Sequence, residues 1–244
     1  AAAVGQWVQV LTAPLEGQPV GEAELARARG VAESAAQNDP EGRVALAVSI
    51  GYAKSRRLDE AILWADRAAQ VERPSTFTLL HLGGLLLSRA ELNPDHPQAR
   101  SGLEQAANLY GQALGRQPNL IEAANNRAWI LHRHLGRHQE ALEVVNTLTQ
   151  RIDPALLPPA FFDTAGSIQE ALGRTEEAER SYTQGLERLP NEPVLNFHLG
   201  RLLANDPSRT QTALEHLRRA QAGQGRLKPD MKRELDALMT RLGG

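Results

Sequence analysis

The sequence predicts an all-α protein built from repeated pairs of short helices, because two markers recur along the chain at nearly constant intervals. Prolines expected to stop helices are spaced 34, 44, 36 and 36 residues apart: Pro40, Pro74, Pro118, Pro154 and Pro190. Small residues expected early in each second helix recur at steps of 33, 45, 35, 37 and 35: Ala28, Ala61, Ala106, Ala141, Ala178 and Ala213. Both series contain one long step, which places an insertion of roughly ten residues near 93–100.

The stretch from 158 to 190 shows most clearly how one pair is encoded. The inner side of its first helix carries apolar and small residues at helical spacing: Phe162, Ala165, Gly166, Ile168 and Leu172. Gly173 is expected to end this helix and Thr175 to cap the next one. The second helix has its own inner face and stop: Ala178, Tyr182, Gly185 and Pro190. The small residues predict that the two backbones approach closely, with Gly166 and Ala178 at the contact.

The remaining elements follow the same pattern in chain order. A lone helix of the second type is expected within 21–37, and an array of helical pairs fills the rest of 21–228: near 43–73, 75–116 with the inserted loop at 93–100, 120–151, 158–190 and 193–222. The first helix of the third pair, at 120–135, is one residue longer than the repeat requires. Segment 229–244 is expected to form a capping helix, because one stripe is apolar: Met231, Leu235, Leu238, Met239 and Leu242.

Residues 1–20 fit no repeat. They contain an apolar cluster and several helix breakers: Trp7, Val8, Val10 and Leu11, then Pro14, Gly17 and Pro19. We interpret them as an extended N-terminal arm or cap that covers the apolar face left open by the lone helix. The alternatives are an arm lying in a binding groove and the remnant of an upstream helix. Because the chain starts at Ala1 without a methionine, a processed product or an excised fragment is expected.

Composition narrows the function classes. The chain has 244 residues, a net charge of −2 and only 4% aromatic residues, so no strong field favours nucleic acid or an anionic membrane. It contains no cysteine, which excludes disulfides, a thiolate nucleophile and cysteine-based zinc sites. No apolar run is long enough to predict membrane insertion. These features predict a soluble protein of the cytoplasm or the periplasm.

The pairs resemble the tetratricopeptide repeat, in a generic bacterial form. The resemblance covers about residues 21–242 and is strongest in the fourth pair: Phe162, Ala165, Gly166, Ala178, Tyr182 and Pro190. The chain departs from the family pattern where Gln169 and Leu86 replace an aromatic residue of the first helix. The resemblance implies a right-handed superhelix, an α-solenoid, whose first helices line a concave groove. It also implies that this groove holds a peptide segment or a helix of a partner protein.

The first helices are expected to expose a mixed set of side chains into that groove. The candidate partner-binding residues are Phe77, Leu80, Asn125, Asn126, Arg133, Asp163, Ser167, Glu170, Phe197 and Arg201. An asparagine amide can donate a hydrogen bond to a peptide backbone and accept one from it at the same time. Arginine can donate two parallel hydrogen bonds to one carboxylate. The alternative is that many of these side chains are merely solvated or pack locally. Some members of the family clamp a terminal carboxylate, but a matching lysine is missing here.

Other chemistries are disfavoured. A metal site is suggested by three histidines close together in the sequence: His132, His134 and His138. Because Gly136 should end the helix between them, no metal site is expected. No motif for phosphate binding, zinc hydrolysis or paired-carboxylate catalysis is present, so we expect no catalytic residues and no cofactor. Arginine pairs such as Arg56–Arg57 form no basic stripe with interleaved aromatics, so nucleic acid is not an expected partner.

The sequence therefore predicts a non-catalytic scaffold for protein–protein interaction that binds a partner protein or peptide. Two alternatives stay open. In the first, arrays assemble with one another into a homo-oligomer. In the second, the array is the regulatory part of a larger multidomain enzyme.

Overall fold

The computed structural model describes residues 22–35 and 39–243, and the regular secondary structure in this part of the chain is helical. The predicted arm at 1–20 lies outside the described residues. The chain divides into two compact units, residues 1–135 and 136–244.

The described residues of unit 1 form six helices. They are α1 (Glu22–Ala35), α2 (Arg43–Lys54), α3 (Leu58–Ala69), α4 (Thr76–Leu92), α5 (Ala99–Arg116) and α6 (Ile121–Trp129), which continues as a π-helix (Ile130–His134). Helices α2 and α3 pack as one pair and α4 and α5 as the next, while α1 contacts α2 and α6 contacts α5. The first helices of this unit are α2, α4 and α6.

Unit 2 contains six further helices. They are α7 (His138–Thr149), α8 (Pro159–Ala171), α9 (Thr175–Arg188), α10 (Pro193–Leu203), α11 (Thr210–Ala222) and α12 (Pro229–Leu242). Short 3-10 turns lie between them at Pro154–Leu156, Pro207–Arg209 and Gln224–Arg226. The pairs are α8 with α9 and α10 with α11, and α12 closes the unit by packing on both α10 and α11.

The contact predicted at Gly166 and Ala178 is confirmed. A β-carbon built on Gly166 would lie 2.3 Å from Tyr182 Cε1, so the Tyr182 ring occupies the place of a side chain at 166. Tyr182 and Ala178 are completely buried. Gly173 has a φ of 72°, in the left-handed region, and ends α8 as predicted. Thr175 is not the cap of α9, which is a wrong prediction: it is the first helical residue, and the preceding Arg174 makes no capping hydrogen bond through its side chain.

The insertion near 93–100 is mostly helix. Helices α4 and α5 have 17 and 18 residues, whereas α2 and α3 have 12 each. Only residues 93–98 separate α4 from α5, and this connection carries both Pro94 and Pro97. The extra length therefore extends both helices by about a turn or more instead of forming a long loop.

The extra residue in the first helix of the third pair is absorbed by the π-helix Ile130–His134. The Leu135 amide donates to the Ile130 carbonyl at 3.1 Å, a bond that spans five residues instead of four. The wider turn keeps both Ile130 and Leu131 buried. Gly136, with a φ of 67°, follows this helix.

Deleting Arg133, an exposed residue of the π-helix, is expected to be tolerated, because the turn can close into a regular α-turn without moving Ala128 or Ile130 off the core side. The matched control is deletion of Ser88, an exposed residue of the regular helix α4, which would rotate Ala90 away from the core by about 100°. Thermal melting should show a small loss for the Arg133 deletion and a severe loss for the Ser88 deletion. Equal losses would contradict this account of the extra residue.

Candidate functional site

Helices α8 and α10 of unit 2 bring together a polar cluster on the face of the first helices. We call it the α8–α10 polar cluster; its members are Asp163, Ser167, Glu170, Tyr182, His198 and Arg201. Positions 163, 167 and 170 lie on one face of α8, because three- and four-residue steps return to the same side of a helix. Tyr182 comes from α9 and reaches this face through the space that Gly166 leaves.

Glu170 is the most fully bonded carboxylate of the cluster. Arg201 Nη2 donates to both of its oxygens at 2.9 Å, and the Tyr182 hydroxyl donates to Oε1 at 2.5 Å. The Ser167 hydroxyl lies 3.5 Å from the Tyr182 hydroxyl. Arg201 also lies 4.0 Å from Glu234 of α12. These contacts tie α8, α9, α10 and α12 together at one point, so the cluster is held rigidly.

His198 has a defined tautomer. Its ring stacks on Tyr182, with centroids 5.5 Å apart and planes 11° apart. Arg201 Nη2 lies 3.4 Å from His198 Nδ1 and can only donate, so Nδ1 is the acceptor and the neutral ring carries its proton on Nε2. Nε2 faces Asp163 Oδ1 at 3.4 Å, which is too long for a good hydrogen bond. Oδ1 is buried and receives no hydrogen bond from the described residues.

Burial controls the charge state of this pair. Burial, with a smaller contribution from the carboxylates of Glu192 and Glu170 and against the opposing charges of Lys228 and Arg201, raises the pKa of Asp163 to about 7. Burial also lowers the pKa of His198 to about 3, with Arg201 adding to the effect. At neutral pH the imidazole is therefore uncharged, and Asp163 is poised between its two protonation states.

In unit 1, the first helix α4 carries the exposed ring of Phe77, which a series of contacts holds in place. Phe77 is 57% exposed and stacks on His81, with ring centroids 6.1 Å apart and planes 9° apart. The Ser49 hydroxyl donates to the Ala61 carbonyl at 2.7 Å, so its oxygen accepts a hydrogen bond from His81 Nε2–H at 2.9 Å. This fixes the imidazole, and its Nδ1 is left as the acceptor. Burial lowers the pKa of His81, which favours this neutral form.

Asn126 of α6 lies near helix α4 through a contact with Tyr110. The Asn126 amide donates to the Tyr110 hydroxyl at 3.2 Å, and that hydroxyl lies 3.7 Å from the β-position of Gly84. Phe77, His81 and Gly84 follow one another at helical spacing on α4. Asn125 Oδ1 is buried and receives no hydrogen bond from the described part of the chain. The face thus combines an exposed ring, half-buried Leu80 and polar amides.

The remaining candidate site residues predicted from the sequence lie in different environments in the structure. Asp163, Ser167, Glu170 and Arg201 are brought together in the α8–α10 polar cluster, while Arg133 is exposed on the π-helix. The prediction that Phe197 is exposed is wrong: it is 1% exposed and packs with Leu235, Leu238 and Met239 of α12. The capping helix covers that position, so His198 is the inner residue of α10.

Sequence reasoning also missed His81, Ser49 and the inward reach of Tyr182. His81 could have been found from its position four residues after Phe77 on one helix face. An open pocket of about 710 Å³ was missed as well; it lies beside the 93–98 connection, between α3 and α5. In the described part of the chain, no three His, Cys, Asp or Glu side chains are grouped to hold a metal ion. No helix described here is long and apolar enough to cross a membrane.

Comparison with known proteins gives one family match and several fold matches. Residues 98–155 match the family model described as tetratricopeptide repeat. PilF of Pseudomonas aeruginosa has 16% identity and a TM-score of 0.63, with 84% of each chain covered. Residues 41 to the end of MamA from Desulfovibrio magneticus RS-1 have 14% identity and a TM-score of 0.56, covering 85% of this chain and 99% of that one.

A double mutant of MamA from RS-1 has 17% identity and a TM-score of 0.61, covering 80% of this chain and 97% of that one. No curated protein matches the sequence significantly. At these identities the matches establish the fold, and the predicted all-α solenoid of helical pairs is confirmed. Proteins of this fold are generally interaction scaffolds without catalytic activity.

Proposed function

We propose that this chain, whose residues 98–155 match the tetratricopeptide-repeat model and whose fold is similar to those of MamA and PilF, is a non-catalytic scaffold that binds a segment of a partner protein on the face of its first helices. The observation that carries the proposal is the Phe77 ring. It lies on helix α4 with 57% of its surface exposed, although a soluble protein gains stability by burying such a ring.

What distinguishes Phe77 from other exposed apolar residues is its support. Its stacking partner His81 is fixed by Ser49, whose hydroxyl is in turn fixed by the Ala61 carbonyl. An aromatic side chain that is already ordered loses little conformational entropy when a partner covers it. Aromatic anchors of this kind dominate the energetics of many protein interfaces.

A polar group farther along α4, near Gly84, matches the backbone of a bound segment. The Asn126 amide donates to the Tyr110 hydroxyl, and its carbonyl oxygen can accept from a backbone N–H of a bound segment. Leu80, one turn along α4 from Phe77, is half-buried and extends the apolar area. The proposed ligand is therefore a segment with an apolar side chain facing Phe77 and a backbone group facing Asn126.

A pull-down from the source cell tests this proposal. The baits are the intact chain, Phe77→Ala and the control Leu63→Ala, which removes another exposed apolar side chain (52% exposed) from second helix α3. We expect one protein to be captured by the intact chain and by Leu63→Ala and to be lost with Phe77→Ala. A partner that is retained by Phe77→Ala, or lost equally with both variants, would contradict the proposal.

Self-assembly and a regulatory role within a larger enzyme stay predictions. Light scattering across a dilution series separates self-assembly from partner binding, since a monomer at all concentrations excludes a homo-oligomeric scaffold. Sequencing of the full reading frame decides whether the array is the regulatory part of a larger enzyme.

A further inference from the structure

We propose that Asp163 is the docking point for a basic side chain, lysine or arginine, on the face of the first helices in unit 2. This inference rests on the proposed function, because it names the chemistry of a segment that a scaffold of this kind would bind. It concerns the α8–α10 polar cluster and is independent of Phe77, which lies in unit 1.

The first argument is geometric. Asp163 Oδ1 is buried and receives no hydrogen bond from the described residues, and the nearest ring nitrogen, His198 Nε2, is 3.4 Å away. The side chain as a whole is 22% exposed, and Oδ2, the oxygen that is not buried, also receives no hydrogen bond from the described residues. A ligand therefore reaches the carboxyl group at Oδ2, where a donor would supply a partner that the described residues do not provide.

The second argument is the charge around Asp163. On its own helix, Glu170 is neutralised by Arg201, which lies on α10 and also faces Glu234 of α12. Before α10, Glu192 is paired with Arg226 at 2.9 Å. Tyr182 from α9 and His198 from α10 are uncharged at neutral pH, since burial and Glu170 raise the pKa of Tyr182 and burial lowers that of His198.

The charges of these groups show which charge a ligand must carry to balance them. The four carboxylates are Asp163, Glu170, Glu192 and Glu234, and the three cations facing them are Arg201, Arg226 and Lys228. When Asp163 is ionised, the surroundings carry one negative charge in excess. A cation therefore completes the balance, whereas an anionic ligand would face repulsion.

Protonation makes the docking dependent on pH. With the pKa of Asp163 at about 7, the carboxylate form dominates at pH 8 and is scarce at pH 5. A basic group binds the carboxylate form, so docking is accompanied by loss of a proton from Asp163 below neutral pH. The apparent affinity falls with the fraction of the competent form, and we expect it to be at least about tenfold weaker at pH 5 than at pH 8.

The experiment is an NMR titration of the whole chain with N-acetyl-arginine methylamide. The matched probe is N-acetyl-citrulline methylamide, which has the same shape without the charge. The protein variants are Asp163→Asn and the control Asp236→Asn, which removes a carboxylate from an exposed position of α12 in the same unit. The amide spectrum of each variant also reports whether it is folded.

We expect the arginine probe to shift amides of α8 and α10, with at least fivefold weaker binding in Asp163→Asn and no change in Asp236→Asn. The citrulline probe should leave these amides unshifted. Equal shifts with citrulline, unchanged binding in Asp163→Asn, or no shift with arginine would overturn the inference. The proposed function is tested separately by Phe77→Ala in unit 1, so either idea can fail while the other stands.

Discussion

Replacement of Gly166 by leucine is expected to destabilise unit 2 by about 3 kcal/mol or more, and replacement by alanine by on the order of 1–3 kcal/mol. Even the alanine β-carbon would lie 2.3 to 2.7 Å from three atoms of the Tyr182 ring. This ring cannot easily move, because it is fully buried, donates to Glu170 and stacks on His198. The higher helix propensity of alanine offsets only about 1 kcal/mol of the clash.

Gly115→Ala is the control for this substitution. Gly115 is an exposed residue of α5, and nothing outside its own turn of the helix lies within 4 Å of its β-position, so alanine should stabilise the chain by about 0.5–1 kcal/mol. Urea unfolding measures both variants. A Gly166→Leu protein with an unchanged or raised free energy of unfolding would refute the packing of α8 on α9.

Opposite pH dependences of stability are expected when the members of the Asp163–His198 pair are changed one at a time. The pKa of Asp163 is raised on folding, from its ordinary 3.8 to about 7, so its contribution to stability is present at low pH and is lost as the pH rises towards 7. The pKa of His198 is lowered on folding, from 6.5 to about 3, so its contribution is present above pH 6.5 and is lost as the pH falls. In the intact protein the two effects largely cancel between pH 4 and 6.5.

Asp163→Asn should therefore become more stable relative to the intact protein as the pH rises from 4 to 8, by about 2 kcal/mol after allowance for partial solvent exposure. His198→Gln should show the reverse, gaining relative stability as the pH falls from 7 to 4. The measurement is urea unfolding of the three proteins at several pH values. Differences that stay constant with pH would contradict the assigned protonation states.

The local features of the fold could be predicted from the sequence because they depend on residues near one another in the chain. The close approach of α8 and α9 follows from the small residues Gly166 and Ala178 at helical spacing on consecutive helices, although the Tyr182 ring that fills the space beside Gly166 was not predicted. The turn after α8 follows from Gly173, which can adopt a positive φ. Comparison of segment 120–135 with the length that the repeat requires also revealed one extra residue. It did not predict the π-helix that accommodates this residue.

The remaining features depend on contacts between distant segments. Phe197 was expected in the binding face because its position on α10 points there, but α12, thirty or more residues later, covers it. For the same reason, the sequence did not identify His198 as the inner residue. The protonation of Asp163 could not be predicted either, since burial and the carboxylates of Glu192 and Glu170 act on it only after folding.

The central claim is that a partner binds against Phe77, and the most direct measurement is calorimetric titration of the captured partner into the intact chain, Phe77→Ala and Leu63→Ala. Loss of an aromatic anchor at an interface raises Kd by about tenfold or more. We therefore expect a Kd at least about tenfold higher for Phe77→Ala and an unchanged Kd for Leu63→Ala. An unchanged Kd for a folded Phe77→Ala protein would contradict the claim.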